Sequence, residues 1–378
     1  VRLVVTGGGT GGHIYPAIAI ARYILDHHPE SVVIFIGSSS GPEAAAAEAA
    51  GIQFHAFDVA GVVGRRFISA LSALVKFLRA AYLCRRMLKR FEVECVVGTG
   101  GYASAPACLA AITLGVPLVL HEMNYDPGFV TRFFCGRAAE VAVAYEGTGP
   151  LLSKRARVRV TGVPVRPEIE TISRGCFEVA GQSARVAAAG EFGLDPKRKT
   201  ILVFGGSQGA RAINEALWAS LPDIAERNDL QVLHLTGGKE FEKDARVEAE
   251  RACGAASLIY RPFGYTERMD LAYAAADIAL GRAGAGTIAE LIAIGLPAVL
   301  VPFPHATGGH QEKNAACIAK TGAVLLVSEE NGSASDAVAE ALALLDDDVR
   351  LSSMKKRASA LTRSNGAREI AAIIEKLT

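Results

Sequence analysis

Short apolar runs recur along the chain, separated by longer stretches rich in alanine and leucine. Examples are LVV (3–5), VVIFIG (32–37), CVVG (95–98), PLVLHE (117–122), TILVFGG (200–206), QVLHLTG (231–237), DIALG (277–281) and AVLVPF (298–303). A strand that is apolar at successive positions, without alternation, is buried on both faces. Such strands spaced by helices form parallel sheets, because parallel neighbours need a crossover connection. The fold class is therefore α/β.

The pattern also repeats between the two halves. VRLVVTGGGTGG (1–12) resembles KTILVFGGSQGA (199–210): a buried strand, a glycine turn, a helix. GTGGYASAPACLAAITLGVPLVLHE (98–122) resembles GRAGAGTIAELIAIGLPAVLVPFPH (281–305), and the units come in the same order. With 378 residues to divide, this predicts two doubly wound, Rossmann-like domains facing a cleft. The expected boundaries are 1–163, 164–355 and a C-terminal helix, 356–378, packing back on the first domain. Residues 171–193 have weak periodicity and read as a flexible insert.

Totals exclude several classes. The formal net charge is +1, which gives no overall attraction to nucleic acid. Seven dispersed cysteines without a C-x-x-C pair fit neither a disulfide scaffold nor a zinc site. The opening VRLVV runs straight into the glycine loop, so a signal peptide is not expected. No apolar run reaches the roughly 18 residues of a membrane span. The expected location is the cytoplasm or the cytoplasmic face of a membrane.

In open parallel sheets ligands bind beyond the carboxyl ends of the strands, where both glycine loops lie. Each loop opens a helix whose free N–H groups and dipole suit a phosphate. Gly7, Gly9 and Gly12 fit G-x-G-x-x-G, but the second strand ends in GSSSG, without the acid that holds an NAD ribose. Glu43 comes several residues late, no arginine suits NADP, and neither loop carries the Lys-Ser/Thr of a P-loop. His13 follows the glycines at a helix start. The positive end of the dipole disfavours its charged form, leaving an imidazole able to accept a proton or simply to cap or pack.

Taken together, GGGTGGHIYPAIAIA, GGYASAPA, HEMN, GVPVR, GGSQGAR, RMDLAYAAADIALGRAGAGTIAEL and HQEKNA resemble the MurG family of bacterial peptidoglycan N-acetylglucosaminyltransferases, of glycosyltransferase family 28, from Gly7 to Asn314. The resemblance implies a GT-B fold and transfer of N-acetylglucosamine, with inversion, from UDP-GlcNAc to the C4 hydroxyl of MurNAc in undecaprenyl-pyrophosphoryl-MurNAc-pentapeptide (lipid I). The product is lipid II, and no cofactor or metal is implied. On the donor side it implies Ser207 and Gln208 for the phosphates and sugar, Arg166 as a fixed charge at the hinge, and Thr266 beside Tyr265 for the uracil. Ala285, Gly286, Thr287 and Glu290 belong to the same site, with Glu290 on the ribose, while Gln311, Asn314 and Asn124 meet the sugar. Thr10, Gly11 and Gly12 join the donor-binding set, near the diphosphates in the cleft. The base that deprotonates the attacking hydroxyl is His13 or Glu122.

Three positions depart from the family pattern: Val163 before Pro-Val-Arg, Met123 in HEMN, and Thr131 in PGFVTR. VVGRRFISALSALVKFLRAAYLCRRMLKRF (62–91) interleaves apolar and basic residues at helical spacing. Phe67, Lys76, Phe77, Arg79, Tyr82, Arg85 and Arg86 are its candidates for contact with an anionic membrane surface; the alternative is a helix packed on the sheet with a solvated basic face. Asp346–Asp348 looks like a metal-binding Asp-x-Asp but lies far along the chain from every glycine loop. Competing readings are another GT-B enzyme, such as a glycolipid transferase or a UDP-GlcNAc epimerase, and a non-catalytic nucleotide-sugar-binding module.

Overall fold

The computed structural model describes residues 1–9, 11–39, 41–58, 67–175, 180–206, 208–253, 257–328, 333–361 and 366–378. The chain divides into two compact units, residues 1–167 with 363–378, and residues 168–362.

The first unit holds strands β1 (Arg2–Thr6), β2 (Val32–Ser38), β3 (Gln53–Phe57), β4 (Cys95–Gly98), β5 (Leu118–Glu122), β6 (Glu140–Val143) and β7 (Val158–Val160). They form one parallel sheet in the order β3-β2-β1-β4-β5-β6-β7. Leu3 and Val5 point into a layer shared with the helices Gly11–His27 and Gly366–Glu375. Val4 points the other way, into a layer shared with the helices Phe67–Arg90 and Ala105–Leu114. Covering both faces is what permits unbroken apolar strands.

The C-terminal helix Gly366–Glu375 buries Ala367, Ile370, Ala371 and Ile374, one face at helical spacing, in the core shared with helix Gly11–His27. A fully buried isoleucine contributes about 1.5–3 kcal/mol, so this last segment is firmly held in the first unit. The helix before it, Asp348–Leu361, lies in the second unit against Ala285–Ile294.

The second unit holds β8 (Lys199–Phe204), β9 (Leu230–Leu235), β10 (Ile259–Phe263), β11 (Ile278–Arg282), β12 (Ala298–Val301) and β13 (Val324–Leu326). They pair in parallel in the order β10-β9-β8-β11-β12-β13. Residues 180–192, read from sequence as part of a flexible insert, form a helix packed on helix Met269–Ala275. It buries Ala188, Ala189 and Phe192. Alanine on both faces gives little polarity contrast, so the period was faint although the helix is regular.

Each sheet reverses its strand order beside its first strand, between β1 and β4 and between β8 and β11. At such a switch point the loops leaving the carboxyl ends diverge and open a crevice. Both glycine loops lie there.

Candidate functional site

In the first unit, the loop after β1 leads into helix Gly11–His27. Thr99, just past β4, ties the strand ends to that helix: its amide donates to the Thr6 carbonyl at 2.8 Å and its hydroxyl to the His13 carbonyl at 2.6 Å. His13 is half-buried in the helix's first turn, against Gly100 and Gly101. Gly101 is required there: its φ is +75°, and a Cβ would stand 2.0 Å from the Gly8 carbonyl oxygen and 3.1 Å from His13 Cδ2. The imidazole thus rests on bare backbone. Thr10 lies outside the described residues, while Gly11 and Gly12 open the helix, with the Tyr15 ring lying close to Gly11. The Arg166 guanidinium stands 5.8 Å from the centre of that ring, which places its charge beside the loop.

Glu122, at the end of β5, is buried. Its Oε1 accepts from the Asn124 amide (3.0 Å) and side chain (3.2 Å), and its Oε2 accepts from the Gly128 amide at 2.9 Å. Both oxygens therefore hold the 123–128 loop in shape, and Asn124 is buried by the same arrangement. Next to it His121 is fully buried with Nε2 3.2 Å from the Gly162 carbonyl. Burial pushes His121 down to about 4, against the pull of the Gly162 carbonyl, and nearby His13 lowers it further. As a neutral ring, its Nε2–H donates to that carbonyl.

Glu43 is a residue that sequence reasoning passed over as too distant. It folds back beneath the first loop, fully buried, and its Oε1 accepts from the Gly9 amide at 2.9 Å. Its Oε2 is buried with no hydrogen-bond partner among the described residues. An amide that a dinucleotide's pyrophosphate would use is thus already taken by a carboxylate.

In the second unit the turn after β8 meets the turn after β9. Gly209 and Gly237 have φ of +74° and +77°, and a Cβ on Gly237 would stand 2.1 Å from the Gly209 nitrogen. The two turns touch backbone to backbone. Ser207 lies outside the described residues; Gln208 is exposed at the tip. Across the switch point, Gly284 precedes helix Ala285–Ile294, whose first turn contains Ala285, Gly286 and Thr287. Glu290 is half-buried, and its Oε2 accepts from the Tyr273 hydroxyl at 3.0 Å. Tyr273 is nearly fully buried and fixes that carboxylate. Its one signal in the chain is a lone phenol in an alanine-rich helix.

Thr266 Oγ1 accepts from the Arg268 amide at 3.0 Å, shaping the loop after β10. Gln311 Oε1 accepts from the Phe303 amide at 2.9 Å, tying helix His310–Ala319 to the loop after β12. Asn314, on the same helix, is fully buried. Among the described residues no group of three or more His, Cys, Asp and Glu is placed to hold a metal ion. Asp346 and Asp348 pair instead with Arg227 at 2.8 Å and Lys199 at 2.7 Å.

Helix Phe67–Arg90 buries Ala73, Ala80, Cys84, Met87 and Leu88 against the first unit. Its outer face carries Leu74, Val75, Leu78 and Tyr82, with Leu78 53% and Tyr82 59% exposed. Arg79 and Arg86 stand exposed beside them, and Phe77 is half-buried. Lys76 pairs with Asp58 at 2.9 Å, and Arg85 donates to the Thr113 carbonyl at 2.6 Å, toward the neighbouring helix. The Phe67 side chain lies outside the described residues. No helix among the described residues is long and apolar enough to cross a membrane.

Two family models match the chain: the glycosyltransferase family 28 N-terminal domain over residues 3–143 and its C-terminal domain over residues 200–372. The UDP-N-acetylglucosamine–N-acetylmuramyl-(pentapeptide) pyrophosphoryl-undecaprenol N-acetylglucosamine transferase of Moorella thermoacetica is 36% identical, covering 100% of this chain and 99% of the relative. The protein of that name from Bacillus licheniformis is also 36% identical, over 100% and 99%. The crystal structure of Acinetobacter baumannii MurG superposes with a TM-score of 0.76 at 26% identity, covering 99% of each chain. With its two parallel sheets in the GT-B arrangement and its full-length likeness to these transferases, the chain belongs to glycosyltransferase family 28, in the MurG family.

Proposed function

We propose that the protein transfers N-acetylglucosamine from UDP-GlcNAc to the C4 hydroxyl of MurNAc in lipid I, with inversion, to give lipid II. The observation that carries this reading is the likeness, end to end, to transferases of that name at 36% identity.

The second unit holds the donor. Glu290, oriented by Tyr273, accepts from the ribose hydroxyls. The turns after β8 and β9 and the start of helix Ala285–Ile294 offer the diphosphate backbone amides and helix dipoles, and Ser207 and Gln208 are its proposed side-chain partners. In the reaction the acceptor's C4 oxygen bonds to C1 of the donor sugar as the C1–O bond to phosphate breaks. Negative charge grows on the departing UDP, where preorganised amides stabilise it best. Thr266, Gln311, Asn314 and Asn124 shape the loops around uracil and sugar, and Arg166 adds positive charge for the phosphates.

The first unit holds the acceptor, and His13 takes the C4 hydroxyl's proton as the new bond forms. His13 rests on the bare Gly100–Gly101 backbone in a helix's first turn. Glu122 keeps the 123–128 loop in shape, since both of its oxygens are engaged there. The stripe Leu74, Leu78 and Tyr82, flanked by Val75, Arg79 and Arg86, rests on the anionic cytoplasmic surface of the membrane, at the level of the acceptor's pyrophosphate.

The test is release of UDP from UDP-GlcNAc in the presence of a lipid I analogue, with the disaccharide product identified by mass spectrometry. Turnover that requires the analogue and persists in EDTA is expected. Turnover of the donor alone would favour an epimerase, and binding without turnover a non-catalytic module.

A further inference from the structure

Behind the turns after β8 and β9 runs a buried chain of polar side chains. Trp218 Nε1 lies 3.1 Å from the Tyr260 hydroxyl, which lies 2.7 Å from His234 Nδ1. His234 Nε2 lies 3.1 Å from Asn214 Oδ1, and Asn214 Nδ2 lies 3.0 Å from the Thr236 carbonyl oxygen. His234 and Asn214 are fully buried.

Chemistry fixes the direction of every bond. An indole N–H can only donate and a carbonyl can only accept. The nitrogen of the Asn214 amide must therefore face Thr236, leaving its oxygen for His234. His234 then carries its proton on Nε2 and presents a lone pair at Nδ1, which the Tyr260 hydroxyl meets as donor. Tyr260 oxygen in turn accepts from Trp218. Because both ends are fixed, the chain cannot reverse, so it serves as a lock and not as a proton path.

The lock ends on the donor turns. Asn214 lies in the first turn of helix Arg211–Ile224, and the Thr236 carbonyl it grips is 2.5 Å from where a Gly209 Cβ would stand. No side chain cushions that approach, so a shift of the carbonyl moves Gly209 directly. We infer that Tyr260, His234 and Asn214 are positioning residues for donor binding: the imidazole, held as its Nε2–H tautomer between Tyr260 and Asn214, seats the Asn214 amide against the Thr236 carbonyl and so steadies the two glycine turns that receive the diphosphate. This rests on the reading that those turns hold the donor.

Removing the Tyr260 hydroxyl takes this partner from His234 Nδ1 and Trp218 Nε1; the imidazole loses one of its two anchors, and the Asn214 amide bonded to it, still oriented by the Thr236 carbonyl, is held less firmly. The experiment uses the full-length protein, wild type and the variants Tyr260→Phe and His234→Gln. It measures UDP-GlcNAc affinity by calorimetry, kinetic constants for donor and lipid I analogue, and imidazole ¹⁵N shifts. Expected are an Nε2–H tautomer for His234 in the wild type and donor affinity weakened about five- to tenfold in Tyr260→Phe. The acceptor KM and the kcat at saturating donor should stay within about twofold, as a loss of positioning alone requires. His234→Gln, which returns an N–H toward Asn214, should bind donor close to wild type. An Nδ1–H tautomer in the wild type overturns the proposal even if Tyr260→Phe does not fold. So does a folded Tyr260→Phe that binds donor within about twofold of wild type, and there the function reading stands. A wild-type protein that binds neither UDP nor UDP-GlcNAc overturns both.

Discussion

Tyr273→Phe isolates one atom of the donor site. The substitution deletes the hydroxyl that donates to Glu290 Oε2 at 3.0 Å. The ring keeps its edge contact with Phe204, whose centroid is 6.0 Å away, so packing should survive. A hydrogen bond to a charged acceptor contributes about 1.5–3 kcal/mol. Glu290 is only half-buried, so water replaces part of the lost bond in the free protein. The ordering that Tyr273 had supplied must then be met on binding, at a cost of about 1–2 kcal/mol, which is about a 5–30-fold loss of affinity for UDP. Calorimetric titration with UDP and with 2′,3′-dideoxyuridine diphosphate separates the causes. The loss should appear with UDP and nearly vanish with the dideoxy ligand, which offers Glu290 no hydroxyl. Equal affinity of wild type and variant for UDP would refute the argument, as would an equal loss for both ligands, since Glu290 would then not be reading the ribose.

His13→Ala should lower kcat by about 10²–10⁴-fold with UDP affinity unchanged within about twofold; full activity would remove His13 as the base. Gly101→Ala combines a left-handed backbone (φ +75°) with a Cβ 2.0 Å from the Gly8 carbonyl oxygen. The strain of about 1–2 kcal/mol and overpacking of about 1–3 kcal/mol should appear as lost stability in denaturant titration, with UDP binding retained by the second unit. Leu78→Glu with Tyr82→Glu should weaken binding to anionic vesicles about tenfold or more, while turnover of a water-soluble acceptor stays at the wild-type level. His121 and His234 are held down at about 4 and about 3, below their ordinary value of 6.5, chiefly by burial. The unfolded chain takes up those protons first, so stability is complete above about pH 6.5 and falls as pH drops toward the folded values. The slope is up to about 1.4 kcal/mol per pH unit for each histidine; His234→Gln should remove one share of it in unfolding titrations at pH 7, 6 and 5.

The amino-acid pattern alone determined the α/β class, the parallel sheets, the internal repeat and the two glycine turns at strand ends. Each of these is written locally. An unbroken Val/Ile run such as CVVG can be satisfied only between two covering layers, and a turn such as GGSQG admits backbone geometry that other residues refuse. The helix 180–192 escaped because alanine lends both faces nearly the same polarity. What the tertiary structure decided is which side chains meet. Glu43 under Gly9, both oxygens of Glu122 turned to its own loop, Tyr273 on Glu290, and the line from Trp218 to Thr236 join residues that no periodicity connects. Hydrogen bonds act over about 3 Å, and only the packing of helices on sheets brings such groups that close. The types of residue were legible in the chain, but their partners, and with them the donors and acceptors left over for a substrate, were set by the fold.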